Sequence, residues 1–111
     1  MSDIQFKTIT TNGISMRIAE AGSGPLVLLI HGWPESWYSW RHQIKAIAAQ
    51  GYHVVAPDMR GYGDTDAPTE PTEYRIDKLA ADVVGIIDAL GESTATLVGH
   101  DWGSMVVWNA A

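Results

Sequence analysis

Residues 94–103 read TATLVGHDWG, and the helix-forming run Ser104-Met105-Val106-Val107-Trp108 follows at once. A nucleophile elbow has this pattern: an apolar strand turns sharply into a helix, with small residues two before and two after the reactive residue. Gly99 and Gly103 fill the two small positions and allow the tight bend, and Asp101 stands at the centre. The sequence therefore predicts a strand, a strained turn and a helix, with Asp101 at the tip of the turn.

The identity of the central residue indicates the chemistry. A carboxylate is ionised at neutral pH and attacks without a general base, whereas a serine hydroxyl needs one. An attacking Asp101 forms an alkyl ester on the enzyme, which suits displacement at a saturated carbon. Epoxides or alkyl halides are therefore expected as substrates, rather than esters or amides. Taken alone, the G-x-D-x-G pentapeptide also fits an Asp that merely caps the following helix.

A second motif follows the apolar run at residues 26–30, which ends in His31-Gly32-Trp33-Pro34. In hydrolases with an elbow, the loop after this earlier strand supplies one backbone N–H of the oxyanion hole, and the residue after the nucleophile supplies the other. Trp33 and Trp102 are therefore the predicted donors. Neither is a proline, so both can donate.

Hydrophobic patterning predicts the order hairpin, strand, helix, strand, helix, strand, helix. Alternating residues on either side of Asn12-Gly13 indicate an antiparallel hairpin. Continuous apolar runs indicate parallel strands that are covered on both faces. The predicted strands span 4–9, 14–20, 26–30, 52–56 and 94–98, and the predicted helices span 36–50, 74–90 and the residues after Asp101. The acids of the second helix, among them Asp77, Asp82 and Asp88, are assigned to a solvated face.

Composition restricts the function further. The chain has 111 residues, of which 46% are hydrophobic and 18% charged, as in a folded globular protein. The net charge of −6 and seven scattered basic residues argue against a nucleic-acid partner. There is no cysteine, no signal-like start and no apolar run of membrane-spanning length, so we expect no membrane association and a cytoplasmic location. No metal site is expected, and Gly61-Tyr62-Gly63 lacks the third glycine of a dinucleotide loop, so no cofactor is expected either.

Three stretches together resemble the N-terminal half of an α/β-hydrolase of the soluble epoxide hydrolase family. They are HGWPESWYSWR at 31–41, PDMRGYGDTD at 57–66 and VGHDWG at 98–103, in the family's order. The resemblance implies an α/β fold with a mostly parallel sheet and an antiparallel N-terminal hairpin. It also implies a small epoxide substrate and Asp101 as the catalytic nucleophile, with His31, Gly32, Pro34, Gly99, His100 and Gly103 as motif residues.

The same resemblance implies groups that lie after the elbow in the family: a His with an acidic partner that activates water, and lid tyrosines that protonate the epoxide oxygen. None of them can be assigned here. We therefore expect residues 1–111 to form a partial hydrolase core domain whose partner is the C-terminal half of the same fold. Of the histidines, His31 is expected to brace the oxyanion loop and His100 to be buried beneath the elbow. His42 is expected on a helix, and His53 at the start of a strand.

Two other functions remain open. Haloalkane dehalogenases share the elbow and Trp102 but usually carry asparagine, which helps hold the halide, at the position of Trp33. Trp102 argues against a fluoroacetate-type dehalogenase, because that family typically has arginine after the nucleophile. The chain could also be a fragment or binding module that keeps the pocket without turnover, and we expect residues 1–111 alone to be inactive.

Overall fold

The computed structural model describes residues 4–32 and 35–111. In these ranges five strands form one sheet in the order β1-β2-β4-β3-β5. The strands are β1 (Gln5–Thr11), β2 (Ile14–Ala21), β3 (Leu26–Ile30), β4 (His53–Pro57) and β5 (Thr96–Gly99). β2 is antiparallel to both of its neighbours, whereas β3 runs parallel to β4 and to β5. The predicted mostly parallel sheet with an antiparallel hairpin is confirmed.

A two-residue turn closes the hairpin. Asn12 and Gly13 both have positive φ, at 49° and 80°, and Thr11 pairs with Ile14 on either side of them. This is the backbone that matches the twist of two antiparallel strands, and Asn-Gly is the dipeptide that favours it.

Three α-helices lie in the described ranges: α1 (Arg41–Ala48), α2 (Ile76–Ala89) and α3 (Trp102–Ala110). The predicted helix order is confirmed, but α1 and α2 begin later than predicted, and four of the five strands differ by one or two residues at one or both ends. Short 3-10 turns at Trp37–Trp40 and Pro71–Tyr74 precede α1 and α2, where the sequence predicted α-helix at 36–40 and at 74. β4 is shifted by one residue, and β5 begins at Thr96.

The core has two layers because successive residues of a strand point to opposite faces of the sheet. Leu26, Leu28 and Ile30 of β3 pack on the face that carries α2 and α3, together with Val83, Ile86 and Val106. Val27 and Leu29 pack on the opposite face against Ile44 and Ala48 of α1, and Trp37 and Trp40 are partly buried there. A strand that is covered on both faces explains the continuous apolar run.

Asp82 corrects the sequence interpretation of α2. Asp77 and Asp88 are exposed as expected, but Asp82 has no exposed surface. Its carboxylate oxygens accept hydrogen bonds from Arg60 Nε at 2.7 Å and Nη2 at 2.8 Å, and from Asn12 Nδ2 at 2.8 Å. The long loop after β4 brings Arg60 onto the helix, and periodicity cannot reveal a partner so distant in sequence. The pair ties α2 to that loop and to the hairpin turn.

None of the helices in the described ranges is long and apolar enough to span a lipid bilayer.

Candidate active site

Asp101 lies at a strained turn between β5 and α3. Its φ of 58° and ψ of −124° lie in a region that residues with a side chain rarely occupy. The turn is tight enough that a Cβ on Gly99 would lie 2.4 Å from the carbonyl oxygen of Gly103. A Cβ on Gly103 would lie 2.3 Å from the carbonyl oxygen of Ile30. Both flanking positions therefore require glycine, which is what the geometry of a nucleophile elbow demands.

Asp101 is exposed, and its side chain makes no hydrogen bond that caps α3. The helix-cap interpretation of the pentapeptide therefore lacks its defining contact. Gly32 lies directly against Asp101, since a Cβ at position 32 would come within 2.5 Å of Asp101 Cβ and 3.0 Å of its Oδ2. The loop after β3 thus packs against the side chain of Asp101 in the loop after β5.

The pairing of β3 with β5 brings these two loops together. Ile30 is in register with Gly99, so His31-Gly32 and His100-Asp101 leave the sheet side by side. Trp102 is the first residue of α3, and the N–H of a first helical residue has no acceptor within its own helix. Because Trp102 directly follows Asp101, its N–H lies next to Asp101, as the predicted role of oxyanion donor requires. Trp33, the other predicted donor, and Pro34 lie outside the described residues.

His31 connects the first loop to the loop after β4. Its ring is buried, with Nδ1 2.8 Å from the carbonyl oxygen of Gly32 and Nε2 3.0 Å from the backbone nitrogen of Met59. Because the Met59 N–H donates to Nε2, this nitrogen carries no proton, and Nδ1–H donates to Gly32. Burial lowers the pKa of His31 from its ordinary value of 6.5. The imidazole is therefore neutral and acts as a fixed brace.

Asp58 holds the loop that follows β4. Its buried carboxylate accepts the backbone N–H of Trp37 at 2.9 Å and that of Asp64 at 3.1 Å. Gly63 turns beside it with φ of 52°, and a Cβ there would lie 2.1 Å from Asp58 Oδ2. The fixed loop in turn places the Met59 N–H on His31. The sequence pattern of this loop predicts none of these contacts.

Glu35 is a further residue that sequence reasoning missed. Its Oε1 accepts the backbone N–H of Gly32 at 2.9 Å, and its own N–H donates to the Gly32 carbonyl at 3.0 Å. The bond from Gly32 lowers the pKa of the Glu35 carboxyl. The three-residue spacing of a short closed turn is the sequence signal that could have indicated this contact.

His100 corrects another expectation. Its side chain is 69% exposed, not buried beneath the elbow, and its Nδ1 lies 3.5 Å from Glu35 Oε1. The backbone of residues 99–103 fills the space under the turn, so the side chain at position 100 must point outward. His42 lies on α1 and His53 opens β4, as expected.

A cavity of about 360 Å³ opens beside the elbow. Its wall is formed by residues of the loop after β3, the loop after β4, the 3-10 turn before α2, and α2 and α3: His31, Gly32, Met59, Arg60, Tyr62, Tyr74, Leu79, Trp102, Gly103 and Val106. Its volume is within the range of small-molecule sites. Gly32 and Trp102 adjoin Asp101 on one side and the cavity on the other. Sequence reasoning gave no indication of Tyr74 or Leu79, because only the fold brings them to the elbow.

The fold and the elbow define the class of protein. A family model described as the alpha/beta hydrolase fold matches residues 25–111, so the chain belongs to this family. The fold implied by the sequence resemblance is thereby confirmed.

Several similar proteins within the family are named epoxide hydrolases. Epoxide hydrolase 3 of Siraitia grosvenorii is 54% identical over 108 residues, which cover 97% of this chain and 34% of that protein. Epoxide hydrolase A of Mycobacterium tuberculosis is 53% identical over 106 residues, covering 94% and 33%. The crystal structure of an epoxide hydrolase from Vigna radiata matches with a TM-score of 0.95 at 53% identity, covering 96% of this chain and 35% of that one. The chain spans about a third of the length of these relatives.

Proposed function

We propose that the protein containing residues 1–111 is an epoxide hydrolase that opens an epoxide to a vicinal diol, with Asp101 as the nucleophile. We propose further that these residues form the N-terminal part of its core domain. A C-terminal segment of the same fold would supply the water-activating His, its acidic partner and the lid acids. The names and the high identity of the relatives support the activity, and their length supports the division of the domain.

The proposed cycle has two covalent steps. First, a carboxylate oxygen of Asp101 forms a bond to one epoxide carbon while the carbon–oxygen bond of the ring breaks, and the released oxygen takes a proton from an acid of the C-terminal segment. The product of this step is an ester on Asp101. Second, activated water adds to the ester carbonyl carbon, the diol leaves and the Asp101 carboxylate is restored. The net reaction adds one water molecule and needs no cofactor.

The backbone N–H groups of Trp33 and Trp102 have their role in the second step. When water adds to the ester, negative charge develops on the carbonyl oxygen of Asp101. Donors fixed at that position before the charge forms stabilise it by about 3 kcal/mol each. The positive end of α3 lies on the same side and contributes in the same direction.

The single observation that carries the proposal is the backbone of Asp101. Asp101 is a non-glycine residue that is held at φ of 58°. The packing around it is so close that none of its neighbours Gly99, Gly103 and Gly32 has room for a side chain. Strain of this kind persists where a reactive group must project from a turn. A helix cap needs no such conformation, since a capping residue is extended.

Asp101→Asn in the full-length protein tests the proposal, with Asp88→Asn on the exposed surface of α2 as the matched control. A neutral amide is a poor nucleophile, so rapid-quench measurement with styrene oxide should show no ester burst. The control should retain the burst of the unaltered protein. Mass spectrometry of the intact variant must show that the introduced amide has not deamidated to the original carboxylate. A full burst in the verified Asp101→Asn variant would remove Asp101 from the role of nucleophile.

A further inference from the structure

The turn of the β-hairpin combines a reactive dipeptide with an open surface. Asn12 and Gly13 are both exposed, and Gly13 has φ of 80°. A Cβ on Gly13 would meet none of the described residues within 4 Å, apart from its two neighbours in the chain. Because glycine has no side chain, its backbone nitrogen is accessible to the side-chain amide of the preceding asparagine. Asn-Gly is therefore the dipeptide in which that nitrogen attacks the asparagine amide most readily.

The side chain of Asn12 also anchors the turn to α2. Its Nδ2 donates to Asp82 Oδ1 at 2.8 Å and to the carbonyl oxygen of Lys78 at 3.4 Å. The first bond has an ionised acceptor and ordinary length, so it is the stronger of the two. Gly85 of the same helix lies against Thr11, since a Cβ at position 85 would come within 1.9 Å of Thr11 Oγ1. The turn is thus seated on α2, and the amide of Asn12 is its polar contact with the buried Asp82.

A carboxylate in place of this amide would face another carboxylate. Asp82 has no exposed surface, and its charge is already matched by Arg60, whose Nε and Nη2 bind its two oxygens. The ammonium of Lys78 lies 3.5 Å from Glu73 Oε2, so its charge is already engaged there. A second negative charge next to a buried carboxylate raises the energy of both groups, and a lost donor leaves Oδ1 with one partner fewer.

We propose that Asn12 is a site of spontaneous deamidation, and that the reaction releases the hairpin turn from α2. The backbone nitrogen of Gly13 gives up its proton and bonds to Cγ of Asn12, while the bond from Cγ to Nδ2 breaks and Nδ2 leaves as ammonia with that proton. Water then opens the resulting succinimide ring at either carbonyl carbon, which leaves aspartate or isoaspartate at position 12. Water is the sole co-reactant, and Asp101 takes no part.

Both products weaken the contact between the hairpin and α2. Aspartate places its charge against Asp82. Isoaspartate carries the chain through its side-chain carbon and so adds one atom to the main chain between Thr11 and Ile14, which are paired across the two-residue turn. That register depends on the length of the turn. Deamidated molecules should therefore unfold at a lower temperature than intact ones.

Peptide mapping of the full-length protein tests the first half of the proposal. The protein is incubated at mildly alkaline pH, digested with trypsin, and residues 8–17 are analysed by mass spectrometry. Asn109 is the internal control, because it is exposed and its Nδ2 donates to the carbonyl oxygen of Met105 at 2.9 Å, but Ala110 follows it in place of glycine. The amide of Asn12 should be lost while that of Asn109 is retained. Equal retention at both positions would overturn the assignment.

Two substitutions test the second half by separating the added charge from the lost hydrogen bond. Asn12→Asp reproduces one product, whereas Asn12→Gly removes the amide without adding charge and keeps a dipeptide that favours this turn. Tm of Asn12→Asp should lie at least about 2 °C below that of Asn12→Gly. Equal Tm values would show that no charge repulsion reaches Asp82.

The incubated protein gives the same comparison without a variant. Ion exchange separates deamidated from intact molecules, because each deamidation adds one negative charge. The fraction that is deamidated at Asn12 should melt below the intact fraction. A deamidated fraction with the Tm of the intact protein would overturn the proposal, even if Asn12→Asp failed to fold.

Discussion

Gly32→Ala should slow ester formation about a hundredfold, because the added methyl group collides with the nucleophile. A Cβ at position 32 would lie 2.5 Å from Asp101 Cβ and 2.8 Å from the carbonyl oxygen of His100. Ordinary contact begins at 3.4 Å, so about 0.9 Å must be recovered by moving one loop away from the other. A displacement near 1 Å at a reacting group costs roughly 10²-fold in rate, or about 2.7 kcal/mol.

The glycine at position 85 provides a matched control. A Cβ there would lie 1.9 Å from Thr11 Oγ1, at the contact of α2 with the hairpin, where none of the proposed catalytic groups lies. Neither glycine has positive φ, so both substitutions act through contact rather than through backbone conformation. Gly85→Ala should lower the free energy of unfolding while leaving the rate of ester formation within about threefold.

The assay is rapid-quench measurement of the ester burst with styrene oxide, alongside urea unfolding of both variants. A Gly32→Ala burst rate within about threefold of the unaltered protein would show that Gly32 does not position Asp101. An equally slow Gly85→Ala burst would show that the loss reflects general destabilisation. The comparison therefore separates an effect on the nucleophile from an effect on the fold.

Asp82→Ala should lower the free energy of unfolding by about 3–5 kcal/mol, because it leaves the buried Arg60 charge without its partner, and a loss below about 1 kcal/mol in urea unfolding would refute this. Because burial lowers the pKa of His31 below 6.5, only the unfolded chain gains the proton just below that pH; stability should therefore fall between about pH 7.5 and 5.5, and His31→Gln should flatten this slope. In side-by-side assays, diol formation from epoxides should exceed halide release from haloalkanes, since Trp33 stands where a halide clamp has asparagine; faster halide release would favour the dehalogenase alternative. Residues 1–111 expressed alone should be inactive and self-associate, because Trp102, Met105 and Trp108 are 57%, 50% and 82% exposed, and a monodisperse, cooperatively unfolding monomer in sedimentation and thermal melting would contradict this.

The features that sequence predicted correctly depend on local physics. The Asn12-Gly13 turn, the apolar run of β3 and the strand-to-helix passage around Asp101 are each encoded within a few neighbouring residues. Glycine at a tight turn and apolar periodicity act over that same short range. The resemblance to a hydrolase depends on the motifs at 31–41, 57–66 and 98–103, and the family match confirms the fold.

The errors arise where distant segments meet. Asp82 has the sequence pattern of a solvated acid, and only the arrival of Arg60 from the loop after β4 makes its burial favourable. His100 was assigned to the space beneath the elbow, yet backbone packing of Gly103 against Ile30 occupies that space. The cavity walls come from several loops and two helices, so no single stretch of sequence describes them.

The strain at Asp101 explains why the surrounding contacts are so closely specified. A residue in such a conformation costs about 1–3 kcal/mol, and it persists only where its neighbours allow no alternative. Here the contacts form a continuous series: Asp58 fixes the loop that places Met59 on His31, and His31 and Glu35 fix Gly32 against Asp101. Each link joins backbone to a buried or partly buried polar side chain. The position of the proposed nucleophile is therefore set by the ends of two parallel strands and by the loop that braces them, and its own side chain is exposed and takes no part in capping α3.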